Sequence, residues 1–142
     1  MENKKNPTDL SGAPSYDVAL AAAHALYMKK GIDVRLFHVE ETTVIADYYL
    51  LATGRASTHL NALADEVAYK LGEAGVKAYR TEGRDGGEWL LVDFGSVIVH
   101  VFSRDAREYY HLERLLPPEG EVDLTPMFEE WKNNTEAGDT EA

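Results

Sequence analysis

Residues 44–53 (VIADYYLLAT) are apolar on both faces apart from Asp47. A strand with one wet side alternates polar and apolar residues. One that does not alternate is buried on two sides, so this segment belongs near the centre of a sheet. Gly54-Arg55-Ala56-Ser57 then turns the chain into a helix, with Ser57 or Thr58 as its cap and Gly72 and Gly75 closing it. Leu60, Leu63, Ala64, Val67 and Leu71 fall on one stripe of that helix, and Asp65, Glu66, Lys70 and Glu73 on the wet side. A buried strand feeding an amphipathic helix sets the class as α/β: a small mixed β-sheet with packed helices.

The flanking segments fit that class. Residues 16–30 are alanine-rich and helical, with Ser15 as N-cap, Asp17 in the first turn and an ending at Lys29-Lys30-Gly31. Residues 32–38 alternate, with Ile32, Val34 and Leu36 on one side and Asp33, Arg35 and Phe37 on the other. Residues 76–81 form a short strand, and EGRDGG a flexible loop. Residues 89–94 and 97–102 form a hairpin through Gly95-Ser96. Ser103 or Asp105 caps a last short helix, stopped by Pro117-Pro118. Residues 123–131 have the pattern of one or two amphipathic turns, with Thr125 as cap and Pro126 at the first helical position. The expected organisation is a loose leader (1–14), one α/β domain (15–118) and an acidic, largely disordered extension (119–142).

The net charge of −11 is uneven. Residues 119–142 carry eight acids and one lysine, or −7, which leaves −4 on the body. Gripping nucleic acid through its phosphates requires clustered Lys and Arg, so a basic protein surface is the expected partner. With no cysteine, disulfide and thiolate chemistry is excluded. The start, MENKKNPTDLSGAPS, has no apolar signal core, and no apolar run approaches the length of a membrane span. The expectation is a cytoplasmic protein without membrane contact.

Five histidines (His24, His38, His59, His100, His111) form no H-x-H or H-x-x-x-H pair, so no metal or cofactor is expected. The Gly54–Ser57 turn resembles the glycine–serine turn of nucleotidyltransferase-like domains. Such enzymes hold magnesium on paired carboxylates, and neither Asp47 nor Asp93 has a second acid two residues away. An enzyme using Asp47, Asp93 and that turn is the competing reading. Asp93 in DFGS also fits turn chemistry. Asp47 requires a buried partner that nothing in the sequence identifies.

Residues 88–116 bring Trp89, His100, Arg107, Tyr110 and Glu113 onto two strands and a short helical arm. Exposed Trp, Tyr and Arg dominate binding hot spots. Adjacent Tyr109 and Tyr110 cannot both face inward on one helix. His100, between Val99 and Val101, points to the opposite face from those valines, either as a half-buried hydrogen-bonded residue or as a recognition residue. Open sheet edges also allow a homodimer.

ADYYLLATGRAST, ALADEVAYKL, the GEWLLVDFGSVIVHVF hairpin and R-x-x-Y-x-L-E at Arg107, Tyr110, Leu112 and Glu113 follow one another in an order and spacing that resemble the ribosomal silencing factor (RsfS, Iojap-like) family over roughly residues 16–116. The resemblance implies a nucleotidyltransferase-like fold without catalytic carboxylates, and no enzyme activity. It implies binding to the large ribosomal subunit through ribosomal protein L-fourteen, steric blocking of small-subunit joining, and a part in large-subunit maturation. By position it carries over Trp89, His100, Arg107, Tyr110, Leu112 and Glu113 as partner-binding residues. Trp89 and Tyr110 are expected as apolar anchors, and Glu113 with Asp93 as partners for basic residues; the alternative for His100 and Arg107 is to position the arm against the hairpin by hydrogen bonds. The chain departs from the family pattern at Leu115-Leu116, where many relatives have leucine–tryptophan. It departs again at His111, in place of an acid, and at Arg55, in place of a small or polar residue.

Overall fold

The computed structural model describes residues 9–40 and 45–141, with side chains through residue 134. Helix α1 (Ser15–Met28) leads into strands β1 (Ile32–His38) and β2 (Tyr48–Gly54). Helix α2 (Ser57–Glu73) is followed by β3 (Arg80–Glu82), β4 (Trp89–Asp93) and β5 (Val97–Ser103). Then come α3 (Arg104–Tyr110), 3-10 turns at Leu112–Leu115 and Pro118–Gly120, β6 (Glu121–Val122) and α4 (Thr125–Glu141). The strands form one mixed sheet in the order β3-β4-β5-β2-β1-β6. β2 and β5 run parallel at its centre, and every other neighbouring pair is antiparallel. The two-sided apolar pattern of β2 thus has its cause. Val44, expected to begin that strand, lies outside the described residues.

One face of the sheet lies under α1 and α2. Ala19, Ala22, Ala23 and Leu26 from α1, with Leu60, Leu63, Ala64 and Val67 from α2, close over Leu36, Leu50, Ala52, Val92, Val99 and Val101. The alanines are good helix formers, and their small side chains let α1 lie close to the strands. Each buried leucine or valine contributes roughly 1.5–3 kcal/mol. The other face has a smaller cluster, Phe37, Val39, Leu51, Phe102, Ala106 and Leu116, with Tyr49, Trp89 and Leu112 at its margin.

Local chemistry departs from the sequence expectation in three places. Pro14 precedes α1 and Ala56 precedes α2, and neither helix has a side-chain cap. Ser15 is instead the first helical residue, and its hydroxyl donates to Asp47 Oδ2 at 2.7 Å. That contact, across 32 residues, is the partner Asp47 requires. The third strand occupies only Arg80–Glu82; Val76 and Ala78 pack on the core without strand pairing. Beyond Pro118 the chain does not trail away. β6 pairs with β1 at Leu36 and Phe37, and α4 lays Phe128 and Trp131 on α1. Phe128 stacks on Tyr27 at 5.3 Å, and Trp131 meets His24 edge-on at 5.0 Å. The described part of the extension therefore belongs to the fold. Among the described residues no helix is long and apolar enough to cross a membrane.

Candidate functional site

Side chains alternate across each strand, so the register fixes which residues share the face away from α1 and α2. Trp89 lies opposite Phe102, which lies opposite Thr53; Leu91 lies opposite His100, then Leu51, then Arg35. This is the face that α3 and the first 3-10 turn partly cover.

Ser103 starts the arm as a true N-cap. Its hydroxyl accepts from the Ala106 N–H at 3.0 Å and donates to Glu88 Oε1 at 2.5 Å. After only seven residues α3 ends at His111, whose left-handed backbone (φ 47°) turns the chain into the 3-10 segment. Gly83 sets the other side of the site. Its φ is +94°, and a Cβ there would collide with the Trp89 carbonyl. Arg84 next to it donates to Asn61 Oδ1 and Asp65 Oδ1, each at 2.6 Å, which ties the loop before Trp89 to α2.

Arg107 holds the arm down. Only 7% exposed, it donates from Nη1 to Thr53 Oγ1 at 2.8 Å and from Nε to Glu113 Oε2 at 2.7 Å. Its Nη2 donates to the Asp33 carbonyl at 3.1 Å and lies 3.3 Å from Asp33 Oδ2. Asp33 has φ 51° and sits at a register shift in β1, an irregularity that leaves its carbonyl free of regular strand pairing. Burial acts to raise the Glu113 carboxyl. The hydrogen bond from Arg107 and the charges of Arg107 and Arg35 outweigh it and hold the group below the usual carboxylate range.

His100 is 5% exposed, and its Nδ1 accepts from Trp89 Nε1 at 3.1 Å. An indole N–H only donates, so Nδ1 is unprotonated and the neutral ring carries its hydrogen on Nε2. Burial pushes this histidine down to about 4. From Phe102 an aromatic ladder runs outward. Trp89 is 4.9 Å from Phe102, Tyr110 is 4.8 Å from Trp89, and Tyr109 meets Tyr110 edge-on at 5.0 Å. Its outer end is open: Tyr110 is 52% exposed and Tyr109 81%; on the 3-10 turn that follows, Leu115 is 74% exposed.

The expected site residues thus divide. Trp89 and Leu112 are half-buried at the rim, and Tyr110 faces solvent. Arg107, His100 and Glu113 lie beneath the surface and bond within the chain, although His100 Nε2 and Glu113 Oε1 are buried without a hydrogen-bond partner. Asp93 is apart from them at the far end of β4, roughly 13 Å from Trp89 along the strand. There it accepts from the Gly95 N–H at 2.8 Å and from Arg80 Nε at 3.2 Å. Sequence reasoning missed Leu115, exposed beside the buried Leu116, and Arg35, Thr53 and Asp33, whose roles appear only when the strands pair.

The residues named for an enzyme do not converge. Asp47 precedes β2 and the Gly54–Ser57 turn follows it, roughly 20 Å apart along an extended chain. The turn is tight for packing reasons, since a Cβ on Gly54 would lie 2.6 Å from Leu60 Cδ1. Among the described residues no three His, Cys, Asp or Glu side chains are grouped to hold a metal.

The family model described as "Ribosomal silencing factor during starvation" matches residues 13–142. The chain belongs to the ribosomal silencing factor family. The family's RsfS protein from Bacillus subtilis is 38% identical over 94 residues, 66% of this chain and 80% of that one. A mouse protein named for mitochondrial assembly of the ribosomal large subunit is 30% identical over 77% of this chain and 48% of its own. A crystal structure from Chromobacterium violaceum superposes with TM-score 0.69 at 38% identity, covering 71% of this chain and 84% of that one. In this RsfS-family chain the hairpin and arm motif form one contiguous, aromatic-edged surface.

Proposed function

We propose that this protein binds the large ribosomal subunit through ribosomal protein L-fourteen and blocks joining of the small subunit, so repressing translation in the cytoplasm by occlusion rather than by chemistry. The observation that carries the reading, on the background of family membership, is the exposure of Tyr110, Tyr109 and Leu115 on an arm whose base is fixed by buried Arg107. Rigid aromatic anchors lose little conformational entropy on docking, and they are the residue types that dominate hot spots. Trp89, Tyr110 and Leu112 make the contact. His100, Arg107 and Glu113 hold it in shape, and Asp93 lies outside it. Ribosomal proteins are basic, so an acidic chain is steered toward them. The name of the mouse relative favours a second reading, assistance in large-subunit assembly, which would use the same contact.

The sheet edges left for a second copy are β3, of three residues, and β6, of two. A homodimer therefore draws on the aromatic face, in competition with the ribosome.

The test is co-sedimentation with purified large subunits. Trp89→Ala and Tyr110→Ala should each cost about 2 kcal/mol of binding, with Tyr110→Ala leaving the fold intact. Variants that sediment with large subunits as the parent does would overturn this face. Sedimentation velocity at rising concentration tests the homodimer, which Tyr110→Ala should dissociate.

A further inference from the structure

Arg35 is shared between two carboxylates on different parts of the chain. Its Nε and Nη2 donate to Glu121 Oε2 and Oε1, both at 2.8 Å. Its remaining nitrogen, Nη1, lies 3.6 Å from Glu113 Oε2. That same oxygen accepts from Arg107 Nε at 2.7 Å. Glu121 belongs to β6 and is paired with Phe37 of β1, whereas Glu113 belongs to the 3-10 turn that carries Leu112 and Leu115. An unbroken line of charge contacts therefore joins the C-terminal extension to the arm.

The guanidinium is planar and rigid, so a carboxylate that grips its Nε and Nη2 edge also fixes where Nη1 points. We propose that Glu121 is a positioning residue for the arm: by gripping one edge of Arg35 it aims the free corner at Glu113, and so lets the extension set the surface that presents Leu112 and Leu115. The guanidinium also lies over the Phe37 ring, its Cζ 5.4 Å from the centroid, a contact that does not fix where Nη1 points once the grip is lost. Glu113 would then depend on Arg107 alone. The hydrogen bond from Arg35 lowers the Glu121 carboxyl and in turn raises Arg35, as a formed pair requires. The consequence for binding rests on the docking reading above; the coupling itself does not.

Glu121→Gln in the full chain removes the charge and keeps the shape and the backbone pairing of β6. The arm is read by hydrogen exchange at the Arg114 and Leu116 amides, which bond to the His111 and Glu113 carbonyls. Their exchange should rise roughly threefold to fivefold, the range of a part-exposed ion pair, while α2 amides keep their rates. In an Arg35→Met background the same change should do nothing further, because the relay is already cut. Affinity for purified large subunits should fall by a similar factor. Unaltered exchange at Arg114 and Leu116, or effects of the two substitutions that add in full, would overturn the proposal. Faster exchange with undiminished large-subunit binding upholds the coupling and refutes the docking face.

Discussion

Under α1 and α2 the sheet meets alanine, leucine and valine; under α3 and the 3-10 turn it meets Thr53, His100, Arg107 and Glu113 among a few apolar neighbours. The first face is held by area, and area is indifferent to direction. The second is held by directed bonds: three arginine nitrogens with four acceptors, an indole on an imidazole, and a hydroxyl cap. A scaffold requires only the former. A short arm that must hold aromatic side chains at fixed angles has too little apolar surface for that and relies on the latter. The comparison assigns stability mainly to one face and geometry to the other.

Removing the guanidinium should have the largest effect. Arg107→Met leaves Glu113 buried with its main partner gone, and breaking such a pair costs about 3–5 kcal/mol. Glu113→Gln in the same chain should recover part of the loss, a reversal no substitution under α1 can produce. Leu63→Ala on the helix side should cost about 3 kcal/mol as a plain cavity. Chemical denaturation measures both. If Arg107→Met proved milder than Leu63→Ala and Glu113→Gln recovered nothing, the arm would be held by area after all.

The two faces should also differ in their response to acid. His100 has a folded-state value of about 4 against an ordinary 6.5. The unfolded chain therefore binds the proton first as pH falls. The stabilisation is complete above about 6.5 and drains away as pH drops toward 4, by about 3 kcal/mol at most. Glu113, held below the usual carboxylate range, adds a loss in the same direction at lower pH. His100→Gln keeps an acceptor for Trp89 and should flatten the stability profile between pH 6.5 and 4. A parent whose stability is level across that window would contradict the buried neutral ring.

What is legible in the sequence follows the same division. Patterns of period two and 3.6 mark β1 and the stripe of α2, and an apolar run without alternation marks the central strand, because burial by area is written along the chain. Directed bonds do not repeat. Ser15 reads as a cap until Asp47, 32 residues away, takes its hydroxyl. Arg107 reads either as a contact residue or as one that positions the arm by hydrogen bonds, but its partners, Thr53 and Asp33 of two other strands, appear only when the strands pair. The extension is legible only in part, for another reason. Residues 123–131 read as one or two amphipathic turns, and Leu124, Phe128 and Trp131, spaced four and then three residues apart, are the stripe that α4 buries. The acids that dominate the composition give no sign that this helix docks on α1.

The smallest expected effect separates motif from geometry. Asp93 sits in the hairpin motif and carries the charge expected to meet a basic partner, yet it occupies the opposite end of β4 from Trp89 and already accepts from Gly95 and Arg80. Asp93→Asn keeps an oxygen for the Gly95 N–H and gives up a part-exposed ion pair. Stability should fall by less than about 1 kcal/mol, and large-subunit binding should not change. Tyr110→Ala should do the reverse, sparing stability and losing binding. A binding loss at Asp93 that matched the loss at Tyr110 would extend the contact along the whole strand. The docking surface would then be the open sheet face, with the arm only its border.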